Sequence, residues 1–171
     1  KKEVLTGPFL IREGITYDQK TNEPITGNIE KFFDNGQLDQ RGNLKDGINE
    51  GFWEFYHKNG QLLRTGNYKN GEMDGLWEVY YKNGQLQSRQ NYKDGEYDGL
   101  YETFSVMSSK LERRVNYKDG EYDGLYEEFW YDGQLKERSN YKNGELDGLK
   151  EIYNPDDKLW SRGNYKNGER S

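Results

Sequence analysis

The stretch GLWEVYYKNGQLQSRQNYKDGEYD, from Gly75 to Asp98, is the unit from which this chain is built. Two strand-like runs rich in Trp, Tyr and Val flank Asn83-Gly84, and Asp94-Gly95 follows the second run. Asn or Asp before Gly between such runs is the strongest short-range hairpin signal, because both residues accept the positive φ of a type I′ turn. Pairs of this kind recur at Asn35, Asp46, Asn59, Asn70, Asn83, Asp94, Asp119, Asp132, Asn143 and Asn167, alternately 11 and 13 residues apart through the first half. Anchored on the Asn that opens the Asn-Tyr-Lys element, copies fall at Asn43, Asn67, Asn91, Asn116, Asn140 and Asn164, 24 residues apart with one step of 25. A period of that length marks a repeat array.

The pattern predicts an all-β fold: an elongated, single-layer antiparallel meander of stacked β-hairpins. Residues 1–26 lack the beat and read as an N-terminal cap, with a six-repeat array over 27–171 as one continuous domain. Terminal repeats commonly differ in this way. The long step has a local cause, since Val106-Met107-Ser108-Ser109 replaces the usual Lys-Asn-Gly tip.

Taking Asn83-Gly84 as a two-residue turn places Glu78 opposite Arg89. The same rule opposes Glu30 to Arg41, Glu127 to Arg138 and Glu151 to Arg162. A three-residue loop at Met107–Ser109 restores Glu102 opposite Arg114. The Glu54 copy alone meets Thr65 instead. The recurrence makes these pairs a structural ladder, and arginine opposite each carboxylate holds it ionised and unsuited to general-acid work. The opposite face carries Trp53, Phe55, Trp77, Tyr81, Tyr101, Tyr126 and Trp130, beside Leu62, Leu86, Leu111 and Leu135. These aromatics either pack the inner face of a curved sheet or form a partner groove; aromatics are favoured interface anchors.

Leu, Ile, Val and Phe make up just under a fifth of the 171 residues, and mean hydropathy is −1.29. Such values alone suggest disorder. The 15% aromatic content and the regular turns argue instead for a thin sheet wet on both sides, where Tyr supplies contact area and keeps its hydroxyl in water. Net charge is −6, with cations and anions interspersed, which disfavours nucleic acid and strong binding to an anionic membrane. No apolar run is long enough to span a bilayer. With no cysteine the compartment stays open, cytoplasmic or exported. The chain opens on Lys1 and stops at Ser171 just past a turn, as an excised or processed piece would.

The unit G-x-W-x-x-Y-Y-x-N-G-Q-L followed by N-Y-K-x-G resembles the bacterial variant of the MORN repeat, most clearly over 75–95, 51–71 and 124–144. Tyr17-Asp18 and Glu23-Pro24-Ile25-Thr26-Gly27 are similar to the lead-in of such arrays. The resemblance implies an elongated hairpin array and a protein-binding or scaffolding role; such proteins are often catalogued as antitoxin components of toxin–antitoxin systems. It brings no catalytic residues and no cofactor.

The single histidine, His57, occupies a position filled elsewhere by Phe33, Tyr81, Ser105, Trp130 and Asn154, so it reads as an ordinary strand residue. The Gly-Glu-x-Asp-Gly segments offer carboxylates, but a calcium shell needs 6–8 oxygens and these read as solvated turns. The expectation is a non-enzymatic protein-interaction module, with no metal or cofactor and an unnamed protein partner. The alternative is a carbohydrate or choline-type cell-wall binder, in which aromatic cages hold a quaternary ammonium.

Overall fold

The computed structural model describes residues 3–171, and every regular element among them is a β-strand. The chain divides into two compact units, Lys1–Gly84 and Gln85–Ser171. The first holds β1 (Val4–Leu5), β2 (Phe9–Arg12), β3 (Ile15–Asp18), β4 (Gly27–Phe32), β5 (Leu38–Lys45), β6 (Ile48–Tyr56), β7 (Leu62–Lys69) and β8 (Glu72–Tyr80). The second holds β9 (Leu86–Lys93), β10 (Glu96–Phe104), β11 (Leu111–Lys118), β12 (Glu121–Phe129), β13 (Leu135–Lys142), β14 (Glu145–Tyr153), β15 (Leu159–Lys166) and β16 (Glu169–Arg170). From β4 to β8, and again from β9 to β16, strands pair antiparallel with their chain neighbours, giving open hairpin meanders in both units. Short β1 joins β4 in parallel, while β2 and β3 form a separate hairpin.

The opening segment docks onto the first meander. Thr16 N–H donates to the Gly47 carbonyl at 2.9 Å, and Gly47 N–H to that of Ile25 at 2.7 Å. Ile25, Ile29, Leu44 and Trp53 form a small core there, with Leu5, Phe9, Phe55 and Tyr68 packed around it.

The Asn-Gly and Asp-Gly turns fall into two kinds. Asp46, Asn70, Asp94, Asp119, Asn143 and Asn167 all have φ near +50°, and flanking pairs such as Lys69↔Glu72 and Lys118↔Glu121 close two-residue I′ hairpins. The tips before Gln-Leu differ from the two-residue expectation. His57 N–H donates to the Gln61 carbonyl, and Gly60 N–H back to that of His57. These bonds define a three-residue loop, with only the glycine left-handed. Asn59 Oδ1 accepts from Gln61 N–H at 3.0 Å, and Asn35 and Asp132 make the same bond to Gln37 and Gln134. An irregularity after the next leucine offsets the longer loop: Tyr56↔Leu62 gives way to Phe55↔Arg64. The register farther along is therefore the one a two-residue turn would set. The odd tip follows suit, with Val106–Ser109 as a four-residue loop inside a Ser105–Lys110 bond.

The Asp-Gly pairs of the Gly-Glu-x-Asp-Gly segments are not turns. Each lies inside a long strand as a bulge: Tyr117↔Tyr122 steps to Val115↔Tyr126, leaving two extra residues on β12. Gly124 sits there at φ +106°, a conformation open mainly to glycine. In the second unit the bulge is sealed by the carboxamides of Asn91, Asn116 and Asn140, which donate to the carbonyls of Leu100, Leu125 and Leu149. The Asp carboxylates serve the neighbouring tips, as Asp123 Oδ2 accepts from Asn143 N–H.

This step of two extends the charge ladder beyond single hairpins. Without it Arg114 would face Leu125; with it, Arg114 faces Glu127 on one side and Glu102 on the other. In the second unit Arg89, Glu102, Arg114, Glu127, Arg138, Glu151 and Arg162 follow one another in register across successive strands. Glu127 is 6% exposed, with Arg138 at 3.0 Å and Arg114 at 3.6 Å. In the first unit Glu30 faces Arg41, and Arg41 forms its ion pair with Glu54. Glu54 meets Thr65 on its other side. Glu78 and Arg89 fall in different units, each within its own strand.

Candidate functional site

The aromatic positions behave differently in the two units. In the first, Trp53 and Trp77 are 1% and 0% exposed. Each indole lies flat on a glycine of the preceding strand: a β-carbon at Gly42 would fall 2.2 Å from Trp53, and one at Gly66 2.1 Å from Trp77. Their Nε1–H groups donate to the carbonyls of Asn43 and Asn67 at 3.1 and 3.0 Å. Phe55 stacks on Trp53 at 5.9 Å, Tyr68 meets Trp77 edge-on at 4.9 Å, and the Arg64 guanidinium covers Phe55 at 4.3 Å. These rings are packing, and Trp53 and Trp77 present no anchor to a partner. Tyr81 is half-buried just beyond β8.

In the second unit glycine is replaced at three of the four corresponding positions, Gly163 being the exception. Gln90, Val115 and Ser139 stand where Gly42 and Gly66 stand, and Tyr101, Tyr126 and Lys150 replace the tryptophans. A side chain now fills the space over the backbone that the indoles occupy, and Tyr101 and Tyr126 are half-buried rather than fully buried. They edge a row of phenols in which Tyr92, Tyr97, Tyr117, Tyr122 and Tyr141 follow at centroid spacings of 4.8–5.2 Å. Burial pushes the Tyr101 phenol up, and burial together with the Glu128 carboxylate pushes Tyr126 up to about 12.

Beside Tyr126 lies a hollow of about 320 Å³ lined by Thr103, Glu112, Arg113 and Glu128. The Arg113 guanidinium lies 5.8 Å from the Tyr101 ring centre, with its Nε buried and unbonded among the described residues. Lys136 Nζ bridges to Glu128 at 2.7 Å and lies 5.1 Å over Trp130, whose buried Nε1 also has no hydrogen-bond partner among the described residues. Tyr101, Tyr126 and Trp130 are thus gathered on one face with fixed charges of both signs. Sequence reasoning missed Arg113, Glu128 and Lys136, because charged residues also stand at their repeat positions in other copies, such as Arg64, Lys31 and Asp39, and nothing in the sequence sets them apart.

His57 Nε2 lies 3.0 Å from the Tyr80 carbonyl. Among the described residues no three His, Cys, Asp or Glu side chains gather as metal ligands do, and no helix is long and apolar enough to cross a membrane.

Four stretches, 49–70, 73–94, 122–143 and 146–167, match the family model described as the MORN repeat variant, together just over half the chain. The chain belongs to that family. Each MORN match opens near the start of a long bulged strand and closes at an I′ tip. The hairpin bearing the longer Val106–Ser109 tip lies between the matched stretches. No curated protein matches the chain. Among solved structures, a crystal structure of the GtfA/B complex bound to UDP and GlcNAc is similar at 12% identity and a TM-score of 0.30. The similarity covers 68% of this chain and 22% of that one, so the chain spans about a fifth of that structure's length.

Proposed function

We propose that this chain is a non-enzymatic protein-interaction module whose partner docks on the second unit's face around Tyr101, Arg113, Tyr126 and Trp130. One contrast carries the reading. The repeat positions that hold glycine-seated, buried tryptophans in the first unit hold partly exposed tyrosines beside Arg113, Glu128 and Lys136 in the second. Aromatic and Arg side chains are the usual anchors of protein interfaces, and changed residues on a repeated frame are how arrays acquire a particular partner. An antitoxin-like role, holding a second protein rather than transforming a substrate, fits the same surface. A choline-type cage wants several open tryptophans, and the burial of Trp53 and Trp77 removes two of the four.

The test is capture of partners from lysate by the intact chain and by Tyr126→Ala and Trp130→Ala. Loss of a specific captured protein by variants that still unfold at the wild-type temperature supports the face. Undiminished capture by both moves the site elsewhere.

A further inference from the structure

The other face of the first unit carries a groove of about 490 Å³ across β1, β4, β5 and β6, within the size range of ligand sites. Its walls are apolar: Phe52 is 54% exposed on one side and Val4 44% on the other. Between them run the polar residues of β4, β5 and β6.

Three groups there are left uncommitted. The carboxamides of Asn91, Asn116 and Asn140 in the second unit are bonded to bulge carbonyls. Their first-unit counterpart Asn43 makes no side-chain hydrogen bond among the described residues, and neither does Asn28, which lies opposite it. The third is Glu30. It faces Arg41, but that guanidinium turns to Glu54 and lies over Tyr56, leaving Glu30 without an ion pair among the described residues. Glu50, which also lines the groove, uses one oxygen to accept from Asn70 N–H. The groove thus sets Glu30, Glu50 and Glu54 against Arg41 alone, leaving a net negative charge between an aromatic ring and an aliphatic wall.

We infer that this groove binds an arginine side chain of an extended peptide segment. The planar guanidinium forms a charge-assisted, bidentate pair with Glu30. The carboxamide oxygens of Asn28 and Asn43 accept its remaining N–H groups, and Phe52 offers the face on which guanidinium groups stack. Lysine, a compact point charge, uses the carboxylates but not the fork or the ring. The inference deepens the protein-binding reading by giving the chemistry of one partner segment, yet it concerns a separate surface and stands without the second unit's face.

The experiment titrates the full chain with Nα-acetyl-arginine amide and with the equally sized, uncharged Nα-acetyl-citrulline amide, following backbone amides by NMR. The arginine probe is expected to shift the amides of Ile29, Gly42, Gly51 and Phe52 saturably, with weaker binding at higher salt, while citrulline shifts none. Glu30→Gln and Phe52→Ala, both at accessible positions, should each weaken the probe at least about fivefold. Equal shifts by citrulline, shifts spread over the acidic surface, no shift at all, or variants that bind as wild type would each overturn the assignment. Saturable binding here, alongside unimpaired partner capture by Tyr126→Ala and Trp130→Ala, would keep the groove and remove the second unit's face.

Discussion

Trp77 lies flat on Gly66, close enough that a β-carbon there would sit 2.1 Å from the indole. Gly66→Ala is therefore expected to cost about 1–3 kcal/mol through overpacking. Gly163 occupies the same repeat position, but its nearest obstacle is the movable end of Arg170 at 2.9 Å, so Gly163→Ala should change stability little. Denaturant unfolding of both variants checks this. Equal effects would mean that the seat beneath the tryptophan does not require glycine.

Trp77→Ala should cost about 3–5 kcal/mol, the range for a buried aromatic. Tyr126→Ala, which removes a half-buried ring, should cost clearly less. For partner binding the order reverses: Tyr126→Ala is expected to weaken affinity by about 2 kcal/mol, some thirtyfold. Calorimetric binding measured beside thermal unfolding separates the two.

The two kinds of tip predict opposite responses at two Asn-Gly sites. Asn70 sits at φ +51°, so Asn70→Gly should be nearly neutral and Asn70→Ala should cost about 1–2 kcal/mol. Asn59 is not left-handed, and its side chain bonds both Gln61 N–H and the Lys82 carbonyl. Asn59→Gly should therefore be at least as damaging as Asn59→Ala. Melting temperatures of the four variants give the answer directly.

Glu54 predicts an acid limb of stability. The hydrogen bond from Arg41 holds its carboxyl below the usual 4.5, against the opposing effect of burial. The pair's contribution is thus complete above that value and disappears as pH falls through the lower folded one. Both side chains are partly exposed, so the loss should not exceed about 1 kcal/mol. Unfolding measured from neutral to acid pH should show a smaller decline in Glu54→Gln than in the wild type.

The phenols predict an alkaline limb. Burial raises several of them, Tyr126 to about 12 against an ordinary 10.0. A raised phenol keeps its stabilising effect below pH 10 and loses it as pH climbs toward the folded value, because the unfolded chain ionises first. Phenolate absorbance should rise late in the folded protein and earlier in denaturant. Coincident curves would contradict the packed tyrosine row.

The hairpin beat and the position of Glu opposite Arg were legible because a strand alternates its faces and a turn fixes its register. Asn59-Gly60 and Asn70-Gly71 look alike as dipeptides, however, and what separates them is tertiary. The first Asn bonds the Gln that follows and the next tip, while Asn70 N–H is held by Glu50 from an earlier strand. Asp123-Gly124 reads as a turn by the same rule and is a bulge, since Asn116 seals it from the neighbouring strand. That step carries Glu127 to a second arginine, which pairing within one hairpin does not reveal. The fate of the aromatics was legible in principle, because glycine eleven residues before Trp53 and Trp77 gives way to Gln90 and Val115 before Tyr101 and Tyr126. Arg113 and Lys136 carry no motif, and only their positions beside Tyr101 and Trp130 give them meaning.

At the I′ tips of Gly47, Gly71, Gly120, Gly144 and Gly168 the glycine amide reaches backwards along the chain. Gly71 donates to Asn49, Gly120 to Tyr97, Gly144 to Tyr122 and Gly168 to Leu146. The acceptor belongs in each case to a segment that leaves the ribosome earlier. A turn emerging during synthesis therefore meets a carbonyl already in place, and each finished hairpin serves as the mould for the next. The bond that closes each of these tips therefore depends on an earlier segment of the chain, and none of them on a later one.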